Sequence, residues 1–283
     1  MNYRHAFHAG NFADVLKHAV LCALLRRFQL RPKPMSYVET HAGAGAFWLD
    51  GPEARRSGEA ADGILRLAGL QPASPALAAY LGLVRGLPGN EQGLKVYPGS
   101  PLVAARLLGE QDRLLLSELV PEEAAGLRRL FRGDTRVAVH CRDGWEALGA
   151  LLPPTPRRGL VLIDPPYEAP DDLRRLADGL VLARQRWPVG VLAAWYPVKD
   201  RRELLPLERA VARAELGTGG VLQVELAVRP DDNPGSLNGS GMLIVGPPWG
   251  LEEDLPALLE EAWQALRQDG APPPRLAWLR DPV

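Results

Sequence analysis

Gly159-Leu-Val-Leu-Ile-Asp-Pro-Pro-Tyr167 is the stretch on which the fold turns. Its first five residues are apolar without alternation, the pattern of a strand buried on both faces, as in a parallel sheet. The prolines that follow cannot continue a ladder, because each lacks an N–H and has a fixed φ. The strand therefore ends at 163 and leaves Asp164, Pro165 and Tyr167 at its tip. Outward from it, strands are expected at 35–39, 113–117, 136–140 and 189–195. Helices alternate with them near 100–109, 121–132, 144–151 and 171–186. Two further β runs, 221–228 and 241–245, flank the turn-rich segment 230–240 and read as a hairpin. The sum is an α/β fold, a doubly wound and mostly parallel sheet with one antiparallel strand.

Ahead of the first strand, residues 12–28 read as an amphipathic helix with Val15, Ala19, Cys22 and Ala23 on one face. Asn11 is placed as its N-cap, and Asp14 complements the helix dipole. Between about 46 and 97 the chain is polar, with Ala- and Leu-rich helical pieces broken by Gly and Pro. This segment reads as a small inserted helical subdomain, with 1–45 and 98–283 forming the main domain.

The chain has 283 residues and a formal charge of −1, so composition carries no global signature of a nucleic-acid binder. Basic residues cluster locally at Arg26, Arg27, Arg31 and Lys33, at Arg128, Arg129, Arg132 and Arg136, and at Arg157 and Arg158. Such runs are most simply solvated surface. No apolar run approaches the ~20 residues of a membrane span, and the start does not read as a signal peptide. A cytoplasmic location is the expectation. Cys22 and Cys141 form neither a disulfide framework nor a CxxC zinc pair, and no metal site is expected.

In open parallel sheets, ligands bind beyond the carboxyl ends of the strands. Four strand ends here carry suitable residues. Glu39-Thr-His-Ala-Gly-Ala-Gly45 allows close backbone approach to a nucleotide-like group. His41, standing where glycine is usual, argues against a pyrophosphate cradle and so against a dinucleotide. Glu118 can accept both hydroxyls of a ribose, although it lies far beyond the usual spacing of about 20 residues; the inserted segment accounts for the difference. Asp143-Gly144 can read an adenine edge, or be a plain turn. Asp164 and the Pro165 carbonyl can accept both N–H bonds of an aryl amine. That favours a pyramidal nitrogen with its lone pair aimed at a sulfonium methyl, while Tyr167 stacks on an extruded base. Met242-Leu-Ile-Val-Gly246-Pro-Pro-Trp249 repeats the Pro-Pro-aromatic ending with no acceptor at Gly246, and reads as structural, with Trp249 packing.

With these motifs in place, the chain resembles the bacterial 23S ribosomal RNA adenine-N6 methyltransferase family that modifies adenine 2030. The resemblance covers nearly the whole length. It is most specific at Tyr3-Arg-His-Ala-Phe-His-Ala-Gly-Asn-Phe-Ala-Asp-Val-Leu-Lys-His18, supported by Thr40-His-Ala-Gly-Ala-Gly45, Tyr97-Pro-Gly-Ser-Pro101, Asp143-Gly144 and Asp164-Pro-Pro-Tyr-Glu168. It implies a Rossmann-like class I methyltransferase using S-adenosylmethionine on ribosomal RNA largely free of protein, acting as a monomer. It further implies that His18, His41, Gly43, Ser100, Glu118, Asp143, Gly144 and Asp164 line the cofactor site. Asp164 would be the catalytic acceptor, with Pro165 and Tyr167 beside it. Tyr3 would meet the RNA, with His5 and Lys17 close by, the last as a phosphate-directed charge. A DNA adenine-N6 methyltransferase shares Asp-Pro-Pro-Tyr but usually carries a separate target-recognition domain, for which the 46–97 insertion looks small. An rRNA guanine-N2 methyltransferase can use the same four residues, and the residues alone leave it open.

Overall fold

The computed structural model describes residues 5–230 and 235–283. Among them, eight strands form one sheet, in the order β10-β8-β9-β7-β6-β1-β4-β5. They are β1 (Ser36–Glu39), β4 (Arg113–Glu118), β5 (Val137–Cys141), β6 (Gly159–Ile163), β7 (Val191–Val198), β8 (Val221–Ala227), β9 (Gly239–Val245) and β10 (Arg275–Arg280). A separate ribbon pairs β2 (Ala46–Trp48) with β3 (Val96–Pro98) in antiparallel register. Strands β5, β4, β1, β6 and β7 run parallel, and β9 pairs antiparallel with both β7 and β8. The α/β class and the antiparallel closure are as expected.

Alternation along the central strand divides the core between two layers. Leu160 and Leu162 of β6 pack into the cluster that holds α1 (Phe12–Gln29) and α9 (Leu251–Leu266). Val161 and Ile163 point the other way, towards α7 (Asp172–Arg186) and α8 (Arg201–Arg213). The chain leaves β1 for β4 and β5 on one side and returns to β6 on the other. The sheet therefore changes direction at β1, and the strand ends open a crevice there.

Asn11 caps α1 as expected, its side chain accepting from the Asp14 N–H at 2.9 Å. The amphipathic reading of this helix is corrected: every residue from Phe12 to Leu25 is buried. Enclosed by β9, α3 (Pro75–Arg85), α4 (Ser100–Leu107) and α9, the helix has no solvent face in this stretch. Its polar residues Asp14, Lys17 and His18 therefore lie inside the protein.

The segment between β1 and β4 holds α2 (Pro52–Ser57), α3, α4, two 3₁₀ turns and the β2–β3 ribbon. Ile64, Tyr80 and Tyr97 from this stretch join the same core as α1. Trp249 is also corrected: it is 84% exposed. Gly246 and Gly250, both at positive φ, bracket a turn that directs it outward. The C-terminal segment supplies α9 and the edge strand β10 (Arg275–Arg280).

Candidate active site

The carboxyl ends of β1, β4, β5, β6 and β7 border one cavity of ≈ 640 Å³. His5, Lys17, His18, His41, Gly43, Ser100, Glu118, Asp143, Gly144, Asp164, Pro165 and Tyr167 all line it, so the strand-end residues do converge. Tyr3 lies outside the described residues.

At β1 and β4, the left-handed turn at Gly43 (φ 59°) aims its N–H at Glu118 Oε2, 2.8 Å away. Oε1 of the same carboxylate accepts from the Val120 N–H at 2.8 Å. Each oxygen holds one backbone donor and keeps a further lone pair. Gly144 opens α6 (Gly144–Leu151), and a Cβ there would stand 2.5 Å from the Thr40 carbonyl oxygen and 2.6 Å from His41. Only glycine permits this approach. Asp143 caps α6 through Oδ1, which accepts from the N–H groups of Trp145 and Glu146. Burial pushes the His41 imidazole down to about 4, so a neutral ring faces the cavity.

His18 sits at the back of the cavity, fully buried. Its Nδ1 lies 2.8 Å from the Tyr97 hydroxyl, while its Nε2 is buried with no partner. Burial lowers its pKa to about 3, so it too is neutral. Ser100 donates to the buried Glu39, and the Tyr37 hydroxyl donates to the other Glu39 oxygen at 2.7 Å. Among the described residues no cation bonds Glu39, and burial pushes it up to about 8.

Asp164 is met by Lys17, whose Nζ is 2.7 Å from Oδ2 and 2.9 Å from Oδ1 of Asp14. The expectation of a phosphate-directed Lys17 gives way here, because the ammonium is buried between two carboxylates. Asp14 also accepts from the Gly10 N–H at 2.9 Å and pairs with His5 at 3.0 Å, tying the N-terminal turn to α1. The Pro165 carbonyl accepts no bond from the described residues. Tyr167 holds a left-handed conformation (φ 52°) rare for an aromatic residue, and its hydroxyl donates to the Trp195 carbonyl.

Sequence reasoning missed several lining residues: Phe47, Trp145, Arg175, Trp195, Pro197 and Lys199. Trp145 follows Asp143-Gly144 directly and could have been found by placing α6. Pro197 hid the rest of its strand, because proline inside an apolar run argues against continuing it.

A sheet of this order, with a glycine turn after β1, an acid ending β4 and Asp-Pro-Pro-Tyr ending β6, defines a Rossmann-like methyltransferase. Residues 32–279 match the family model described as RsmJ, ribosomal RNA large subunit methyltransferase D, RlmJ. The chain belongs to this family of ribosomal RNA large subunit methyltransferases. Ribosomal RNA large subunit methyltransferase J of Escherichia coli K12 is 40% identical over 281 residues, covering 99% of both chains. The protein of the same name from Haemophilus influenzae is 38% identical over 279 residues, again covering 99% of both. A crystal structure of a Legionella pneumophila protein, 31% identical, superposes with a TM-score of 0.85 over 96% of this chain and 98% of that one.

Proposed function

We propose that this enzyme transfers a methyl group from S-adenosylmethionine to the exocyclic N6 amine of an adenine in 23S ribosomal RNA, at the site equivalent to adenine 2030. In this reading it works as a cytoplasmic monomer, without a metal, on RNA largely free of ribosomal proteins. The carrying observation is Asp164 and Pro165 standing side by side on the cavity that Glu118 and Gly43 also line. Among the described residues no helix is long and apolar enough to cross a membrane, and no group of His, Cys, Asp or Glu could hold a metal ion.

The residues fit the cofactor. The cavity is of ligand size. The His18 Nε2 atom is an orphaned polar group at its back, of the kind a ligand satisfies. Glu118 has lone pairs left for a ribose diol, and the Cβ-free Gly144 with neutral His41 suits an adenine edge. Ser100 and Asp143 complete the lining. S-adenosylmethionine supplies an electrophilic methyl on a sulfonium.

The chain's own residues do the rest. Lys17 fixes Oδ2 of Asp164 and leaves Oδ1 to accept one N–H of the target amine. The Pro165 carbonyl accepts the second. An aryl amine is a weak nucleophile, so most of the rate gain comes from this placement of acceptors. The proton released from the methylated amine passes to Asp164 or to solvent. Tyr3 and His5 meet the RNA, and Tyr167 stacks on the base. Residues 46–97 act as a helical insert that braces this N-terminal cap: Ser57 donates to the Phe7 carbonyl, and Glu59 bonds His8 at 2.9 Å and Asn11 at 3.0 Å.

The test is radiolabelled methyl transfer to unmodified large-subunit rRNA, followed by nucleoside analysis. N6-methyladenosine is expected; N2-methylguanosine, or labelled DNA but unlabelled RNA, would reject the reading. Asp164→Ala is expected to lower turnover by about a hundredfold or more while the protein stays folded. Undiminished turnover would remove Asp164 from the reaction.

A further inference from the structure

The cavity has one wall that the roles above leave largely unassigned. Successive side chains of a strand point to opposite faces. Along β7 and its exit, Trp195, Pro197 and Lys199 accordingly share the face that lines the cavity, whereas Tyr196 and Val198 are buried in the layer behind. The polar tips of the two aromatics are turned away from the cavity's acceptors. The Trp195 indole N–H donates to Ser240 Oγ at 2.7 Å, and the Tyr167 hydroxyl is held by the Trp195 carbonyl. Their rings meet edge-on, with centroids 5.4 Å apart and planes at 66°. On the Asp164 side, Lys17 Nζ lies 5.9 Å from the Trp195 ring centroid. Trp195 thus offers the cavity a ring without a hydrogen-bonding demand, next to the group that would hold the target amine.

Lys199 closes the row. It is exposed, and no described carboxylate forms an ion pair with it. Its main chain is fixed by Asn238, whose Nδ2 donates to the Lys199 carbonyl at 2.8 Å. From Trp195 to Lys199 the strand advances about 13 Å, and a flexible lysine stem can fold back over part of that span. An extruded nucleotide brings its ribose and flanking phosphates to the mouth of the pocket that takes its base.

We propose that this row is the subsite for the extruded nucleotide: Trp195 packs against the target base, and Lys199 takes a phosphate beside it. The proposal rests on the RNA-methylating reading and adds the residues that grip the substrate. Base–aromatic packing of this kind is sequence-tolerant, while a lysine on phosphate is a salt-dependent anchor.

The experiment uses the full-length enzyme and unmodified large-subunit rRNA, with methyl transfer measured across a salt series. S-adenosylmethionine affinity by calorimetry and melting temperature are measured alongside. Lys199→Ala is expected to raise the KM for RNA about fivefold to tenfold, leave kcat and cofactor affinity unchanged, and reduce the log–log salt slope by about one. Lys199→Arg is expected to restore both KM and slope. Trp195→Ala is expected to lower kcat/KM for RNA about tenfold or more, with Trp195→Phe retaining most of it and cofactor affinity constant in both. An unchanged KM and salt slope in Lys199→Ala overturns the phosphate contact. Cofactor affinity or melting temperature falling in step with activity in both Trp195 variants overturns the base contact and makes Trp195 a packing residue. Failure of the wild-type enzyme to label adenine would instead sink the underlying reading, so the two failures are distinct.

Discussion

Glu39 and Glu118 end neighbouring strands and are both buried, yet their hydrogen-bond partners differ in kind. Glu118 receives two backbone N–H groups, one on each carboxylate oxygen. Removing its side chain in Glu118→Ala should weaken S-adenosylmethionine binding by about tenfold, the scale of a lost charged hydrogen bond. Calorimetric titration checks this, and an unchanged dissociation constant would take Glu118 out of the site. Glu39 receives only the hydroxyls of Tyr37 and Ser100, and burial pushes it up to about 8. A carboxyl whose folded pKa is raised contributes stability below its ordinary pKa of 4.5 and loses it as pH climbs through 8. His18 and His41 run the other way, being held neutral near 3 and 4, so their share is lost as pH falls below 6.5. Glu39→Gln should therefore gain melting temperature relative to wild type between pH 6 and pH 8, as read by calorimetry at constant ionic strength. A parallel pH dependence in the two proteins would contradict the environment assigned to Glu39. Glu118 was legible as a strand-end acid, but the surroundings of Glu39 were not, since in the sequence Glu39 was simply the start of a glycine motif.

At the scale of elements, the join between β5 and α6 shows how backbone decides what side chains can do. Asp143 reads in sequence either as an adenine contact or as a turn, and the structure shows it capping α6 while still bordering the cavity. Gly144 lets that helix start touch the loop after β1. Gly144→Ala would drive a methyl group into the Thr40 carbonyl, so the helix or the His41 loop must shift. The expected result is a loss of about 1–3 kcal/mol in denaturant unfolding, within the range of backbone clashes, together with weaker cofactor binding. Wild-type stability and affinity would refute that contact. The helix before β1 and all five parallel strands were legible because their apolar runs and caps are local signals. Helices α8 and α9 were not, since Pro206 and Pro256 interrupt their periodicity.

Over the whole molecule, the structure sorts the basic runs that composition left neutral. Arg27 pairs with Asp254, Arg136 with Asp134 and nearby carbonyls, and Arg158 bonds the carbonyls of Phe28 and Lys33. This part of the charge braces the fold instead of facing a polyanion. The tail also closes the sheet: β10 covers the edge of β8, whose residues Val221–Leu226 are buried. Deleting residues 273–283 should uncover that edge, lower the melting temperature and cause concentration-dependent association visible by light scattering. A truncated protein that matches the full chain in association and stability would show the strand to be dispensable.

The sequence by itself determined the alternation of strands and helices, the strand ends that carry Glu118, Asp143 and Asp164, and the family. Those features are written in local periodicity, in prolines that stop a ladder and in glycines that permit close approach. Only the tertiary structure decided that Lys17 is buried between Asp14 and Asp164, that Glu39 is stranded among hydroxyls, and that Trp195 and Lys199 share the cavity wall. Each of those facts depends on what distant segments bring alongside, and hence on burial and partner distance, which no local pattern encodes.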